Sequence, residues 1–433
     1  MRLLPSSHIR CIPASMIDRF AKAIDERVDD LVQLTADLIR FPTINPPGEA
    51  YTPCAEFVGE RLRRRGFAVS FMRGEGTPGD TDRYPRTNVV ARIEGRGPGP
   101  VVHFNSHIDV VEAGEGWTVD PFGGVVRDGR VYGRGACDMK AGTTASIFTY
   151  RYLHRLRDKL KGRLTLTCVS DEETFGPWGA RYLVDNCPEV LGDCVLNGEP
   201  SGTNTVRFGE KGPFWLAFNI SSPGAHGAYT HLTVSASKIA SQLIADLEVV
   251  TAIPPNLPHN IARAVELAEP AVDVAMGKGA AEIVPKVTLN IGVVSGGLKV
   301  NMIPGQCRVE ADIRLPLGVE KETIMKEVRK IVARYPEVTF EEINFNPPSY
   351  CDPYGEMMEI VQSNVKQLSG VLPVPIVSLG GTDARLWRYR NIPAYVYGPP
   401  PTGMGSYDER VTVDDFLHVV RTHVLSAYDY LMK

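Results

Sequence analysis

What the chain lacks narrows it first. None of its 433 residues falls in a run as long as the roughly 18 to 20 consecutive apolar positions that a membrane-spanning helix needs. It has no basic field: 47 Lys and Arg stand against 51 Asp and Glu, a net charge of −4, which argues against nucleic acid as the main partner. None of the eight cysteines (11, 54, 137, 168, 187, 194, 307 and 351) stands in a C-x-x-C pair, so reduced thiols in a cytoplasmic protein are expected. The opening MRLLPSSHIRCIPASM lacks the unbroken apolar stretch of about 7 to 15 residues found in a signal peptide. Residues 1–16 therefore read as a flexible leader, with Met16 an alternative start. Internal repeats and low-complexity segments are absent too.

What is there is an alternation of helix-period and strand-like segments. Apolar residues at Ile24, Val28, Leu31, Leu34 and Leu38 predict one amphipathic helix from Ile17 to about Arg40. A second helix is expected near Pro53–Arg65, then strands at Ala68–Met72, Thr87–Ile93 and Val101–Asn105. A helix over Ala141–Leu156, a strand at Arg163–Ser170, a helix over Trp178–Asn186 and a strand at Cys194–Asn197 extend the series. Such alternation predicts an α/β fold: a mostly parallel mixed sheet with helices on both faces. After about Phe208 the order becomes β-α-β-β-α-β, which suggests a ferredoxin-like α+β insertion. The expected domains are 17–209 with 347–433, interrupted by 210–346.

Four polar groups follow predicted strands, where chemistry gathers in such sheets. His107 and Asp109 share a face at period 2, an arrangement that lets the Asp orient a ligand imidazole. Alone, this pair fits a structural polar cluster better. Asp138 sits in the glycine-flanked GRGACDMKAG, where an N-cap is the plainer alternative. Asp171, Glu172 and Glu173 repel one another unless a cation lies between them, although runs of acids are usually solvated. Glu199 follows a fourth strand. Together they present His, Asp, Glu and Glu, a ligand set suited to zinc, manganese or cobalt. One metal site explains the four placements better than four coincidences.

The blocks HIDVVEAGEGWTVDPFGG, GRVYGRGACDMKAG, SDEETFGPWGARYL and NGEPS resemble the signatures of the acetylornithine deacetylase, succinyl-diaminopimelate desuccinylase and carboxypeptidase G family. GEKG, SPGAHGA, NIGVVSGG, NMIP, Asp312-Ile313-Arg314 and GGTDAR extend the likeness from about residue 30 to the C-terminus. The resemblance implies a zinc-exopeptidase-like catalytic domain with an inserted lid and dimerisation domain. It implies His107 and Glu199 as ligands of one metal, Asp138 as a bridging carboxylate and Glu173 as ligand of a second metal. Asp109 would orient His107, and Glu172 would be the general base. His226 would steady an oxyanion, often across a dimer interface, while Asn301, Arg314, Gly381 and Thr382 would surround the substrate's carboxylate.

One departure matters. The family closes its second metal site with a late histidine, and aligning on Asp408-Glu409 puts Gly405 there. No histidine lies between His259 and His418. The expectation is therefore one tightly bound divalent ion, manganese or zinc with cobalt possible, in a homodimeric hydrolase cleaving a C–N bond of a small carboxylate-bearing molecule. N-acyl amino acid deacylation is the leading activity. An aminohydrolase releasing ammonia from an aromatic amine such as 5-nitroanthranilate, and a catalytically inert carboxylate binder, are the alternatives. Intact Glu172 argues against the last.

Overall fold

The computed structural model describes residues 14–432, and its chain divides into two units. The first runs up to Phe208 and is completed by Cys351–Ile376 and by the chain from Thr382 onward; the second comprises Gly209–Tyr350 with Val377–Gly381. Of the expected leader, residues 1–13 lie outside the described residues, while Ala14 already begins a helix.

The first unit is built on a twisted mixed sheet. Seven of its strands lie in the order Val69–Gly74, Arg86–Glu94, Arg163–Val169, Val101–His107, Cys194–Asn197, Ala394–Val396, Thr205–Glu210. The four from Arg163–Val169 to Ala394–Val396 run parallel, and the flanking pairs are antiparallel. Parallel neighbours need a crossover, and the helix Ala141–His154 supplies one between Val101–His107 and Arg163–Val169. Helix Val413–Leu431 packs against it, capped by Thr412, whose Oγ1 accepts from Asp415 N–H at 3.0 Å. The single helix expected over Ile17–Arg40 is two helices, Ala14–Asp25 and Val28–Ile39. The break falls where Asp29 and Asp30 favour a fresh N-terminus, with Arg27 paired to Asp30 at 3.3 Å.

A small sheet of Val125–Arg127, Arg130–Tyr132 and Arg410–Thr412 was not expected. It ties the late Asp408-Glu409 segment to the turn that carries Asp138, through the pair Arg410 and Tyr132.

The second unit holds a four-stranded antiparallel sheet in the order Thr288–Gly296, Gln306–Leu315, Gly212–Ser221, Val338–Phe345. That order and the helices Ala236–Leu247 and Lys321–Val332 make it ferredoxin-like. Gln306–Leu315 alternates buried and less buried residues, so Val309, Ala311 and Ile313 meet Leu243, Ile324 and Val328 in one core. The helix His259–Met276 is an addition; its interior Pro270 hides it from a pattern search.

Candidate metal centre

His107 is the last residue of its strand, which runs two residues beyond the expected end at Asn105, and its side chain is buried. Its carbonyl accepts from Thr143 Oγ1 at 2.9 Å, which ties it to the crossover helix. Nδ1 faces inward, 3.0 Å from the carbonyl of Asp109 and 3.5 Å from its Oδ1. Asp109 is fixed in turn: Oδ2 accepts from Asn45 Nδ2 at 3.1 Å and from Glu173 N–H at 3.0 Å. Burial would raise the Asp109 carboxyl, but His107 and these donors outweigh it and hold it below its usual range.

Nε2 of His107 faces Asp138 Oδ1 and Glu199 Oε1, each at 3.1 Å. One ligand atom from each of the three lies within 4.8 Å of the others, the one such group among the described residues. Asp138 is where its glycine-flanked segment placed it, before a helix rather than directly at a strand end. It lies in the turn Ala136–Lys140, out of helical geometry, just before the helix Ala141–His154. Buried Glu409 shapes that turn, accepting from Cys137 N–H at 3.0 Å and Asp138 N–H at 3.1 Å, and pairing with Arg134 at 2.6 Å. The Glu199 turn is set by close backbone packing. A Cβ at Gly142 would overlap the Gly198 carbonyl, and one at Gly398 those of Gly198 and Glu199.

The run of three acids splits in the structure. Asp171, at φ +72°, turns to Arg86, whose Nε donates to it at 3.1 Å with both side chains buried. It is a structural ion pair, pushed up to about 6 by burial against the pull of Arg86. Glu172 and Glu173 remain near the cluster, each held well above the usual carboxylate range, first by burial and then by Glu199 and Asp138 respectively. Glu199 itself is raised to about 7 by burial and Asp138. Burial would lower the His107 imidazole, yet Glu199, Asp109 and Asp138 overcome it and raise it well above its usual value. An imidazole ringed by buried acids is an environment that asks for a cation, and one nitrogen with two carboxylates is a donor set that fits a divalent ion.

Glu173 stands outside the three-ligand group. Gly405 is exposed in its loop at φ +68°, and a Cβ there meets nothing within 4 Å. His418 is held by Tyr397 OH at 2.8 Å and His423 by the Tyr397 carbonyl at 2.7 Å, so both serve the packing of the last helix. Thr382 is buried in the first unit, its Oγ1 accepting from Ala384 N–H at 3.3 Å, while Gly381 belongs to the second. The other expected substrate groups also belong to the second unit. There exposed His226 pairs in a short ladder with Met302, Asn301 accepts from Gly227 N–H, and Arg314 pairs with Asp312 at 2.9 Å.

The sequence reading missed Asn45, Asp383, Arg385 and Glu409 as parts of this region. Three of them sit inside blocks already singled out, GGTDAR and Asp408-Glu409, but a charge in a motif gives no sign of where it points.

The model of peptidase family M20/M25/M40 matches residues 103–429. A succinyl-diaminopimelate desuccinylase of Cereibacter sphaeroides is 28% identical over 415 residues, covering 92% of this chain and 99% of its own. An uncharacterised metallohydrolase of Methanocaldococcus jannaschii is 24% identical over 425 residues, covering 90% and 97%. Among solved structures, the M20 family metallo-carboxypeptidase Sso-CP2 of Sulfolobus solfataricus superposes with a TM-score of 0.78 at 16% identity, over 93% of this chain and 99% of that one. The YXEP protein of Bacillus subtilis, a dinuclear metal binding peptidase from the M20 family, gives 0.62 at 18% identity, over 95% and 99%. With its fold and its His–Asp–Glu cluster in place, the chain belongs to peptidase family M20/M25/M40 and is a metal-dependent hydrolase acting on C–N bonds.

Proposed function

We propose that this enzyme is an N-acyl amino acid deacylase built on one tightly held divalent ion, with His107, Asp138 and Glu199 as ligands and Glu172 as general base. The observation that carries the reading is the His107 Nε2 facing both carboxylates at 3.1 Å, with buried Glu172 at the same centre. A divalent ion in that set would supply Lewis acidity and a water acidified towards neutral pH. Its mixed nitrogen and carboxylate donors suit manganese or zinc, with cobalt a third choice. Asp109 keeps Nδ1 of His107 occupied, so that Nε2 is the atom presented to the ion. Glu172 takes the proton from the attacking water and delivers it to the departing nitrogen. Glu173 is the weakest ligand, and with Asp138 alone it makes too sparse a second site to retain an ion.

The roles expected for His226, Asn301, Arg314, Gly381 and Thr382 around the substrate, and a cytoplasmic homodimer formed through the second unit, belong to the same reading. The relatives' names make N-succinyl amino acids the first compounds to try. One observation favours a second reading: Gly405 brings no side chain where the family's late histidine would stand. A centre with one ion suits attack on an activated aromatic carbon, with loss of ammonia from an aryl amine such as 5-nitroanthranilate.

The test is product identity. Manganese- or zinc-loaded protein is given N-succinyl and N-acetyl amino acids and 5-nitroanthranilate, and free carboxylic acid and ammonia are measured. Acid release supports the deacylase, ammonia release without acid supports the second reading, and neither product overturns both.

A further inference from the structure

Arg385 has no part in the reading above, yet it lies against the base. Its Nη1 is 3.6 Å from Oε1 of Glu172, with both side chains buried. Among the described residues nothing donates a hydrogen bond to that oxygen, and the contact is an ion pair. The guanidinium carbon lies 4.8 Å from the centre of the Phe175 ring, a cation–π distance. Glu172 and Phe175 are the two ends of one turn, closed by Phe175 N–H donating to the Glu172 carbonyl at 2.8 Å. Phe175 adopts φ +53°, a left-handed conformation that a bulky residue rarely takes. Such a conformation persists only where the surroundings over-determine it. Here it sets the ring against the guanidinium while residue 172 brings its carboxylate to the same group, so one turn grips one cation with two side chains.

The other end of the contact is anchored as well. Asp383, two residues before Arg385, accepts from Asn105 Nδ2 at 3.2 Å, and Asn105 lies in the strand that ends at His107. The base and the ligand imidazole are thereby referenced to one strand. Glu199 and Asp383 both repel the Glu172 carboxylate, and His107 and Arg385 are the groups that draw it back.

The geometry points to Arg385 as the positioning residue of the base, an assignment that rests on Glu172 being that base. Its guanidinium holds Oε1, the carboxylate keeps a single orientation, and Oε2 is the oxygen left to take the proton from water.

The test is a pair of crystal structures, wild type and Arg385→Met, both manganese-loaded, with kinetics beside them. The assay uses whichever N-succinyl or N-acetyl amino acid the wild type hydrolyses. The expected result is a Glu172 carboxylate turned away in the variant, with metal content unchanged. kcat should fall about 10- to 100-fold, with KM moving less than about twofold. Arg385→Lys should recover part of kcat, because it restores the charge without the fork. A Glu172 that keeps its place in the variant, or a loss of activity that tracks a loss of metal, would overturn the assignment. If Arg385→Met fails to fold, Phe175→Leu removes the ring and keeps the charge, and the same displacement of Glu172 is expected. Should the wild type hydrolyse none of these compounds, the deacylase reading falls, while the crystal structures still decide the role of Arg385.

Discussion

Glu172 and Asp171 are neighbours in sequence with opposite fates. Asp171, in left-handed conformation, is consumed by Arg86, whereas Glu172 is buried facing Arg385 near the metal cluster. Glu172→Gln keeps the shape of the side chain and removes its basicity, so kcat should fall by about 10²- to 10⁴-fold while the metal is retained. Undiminished turnover by that variant would mean the proton goes elsewhere. At this scale the grouping of His107, Asp138 and Glu199 was legible, because each follows a predicted strand or a glycine turn and because the blocks around them resemble a known family. The sequence could not say which of three consecutive acids turns away. That depends on a positive φ at residue 171 and on an arginine 85 positions earlier in the chain.

Elements place the His–Asp–Glu cluster through backbone packing as much as through side chains. Gly398, just after the strand Ala394–Val396, leaves room for the carbonyls of Gly198 and Glu199. Gly398→Ala should push the Glu199 turn outward and weaken metal retention about 10- to 100-fold, read as metal left after dialysis against chelator. Retention equal to wild type would show that the turn adapts. In the second unit, Lys211 is buried, its Nζ 3.0 Å from the carbonyl of Ile283, 2.6 Å from that of Lys286 and 3.2 Å from Thr288 Oγ1. Burial, helped by Arg314, lowers it to about 7, against about 10.4 in an unfolded chain. Between those values the unfolded chain holds a proton that the folded one has released, so this lysine's contribution to stability rises with pH across that window. Urea midpoints of wild type relative to Lys211→Met should diverge in favour of wild type from pH 7 to 9.5; parallel midpoints would refute this. Most elements were legible, since strands such as Cys194–Asn197 are apolar runs between turn signals. The helix His259–Met276, with its internal proline, and the three-residue strands Val125–Arg127 and Arg130–Tyr132 were not. Short strands have too few residues to show a period, and their partner Arg410–Thr412 lies almost 300 positions away in sequence.

For the whole molecule, the β-α-β-β-α-β order announced the second unit, and the resemblance supplied its expected part in a dimer. If His226 acts across subunits, mixing His226→Ala with Glu172→Ala protein should restore activity in exchanged heterodimers, and no recovery would count against that arrangement. The late loop is where the resemblance implies a histidine that this sequence lacks. Gly405 there is exposed, with open space around a Cβ, and histidine tolerates a left-handed φ better than most residues do. The proposed centre has three ligands and holds one ion. Its most direct test is metal content per chain, by elemental analysis of protein purified without added metal and of Gly405→His beside it. One tightly bound ion is expected in the wild type, rising towards two in the variant. Two ions in the wild type would contradict it, since another side chain would then be doing the work of the missing histidine.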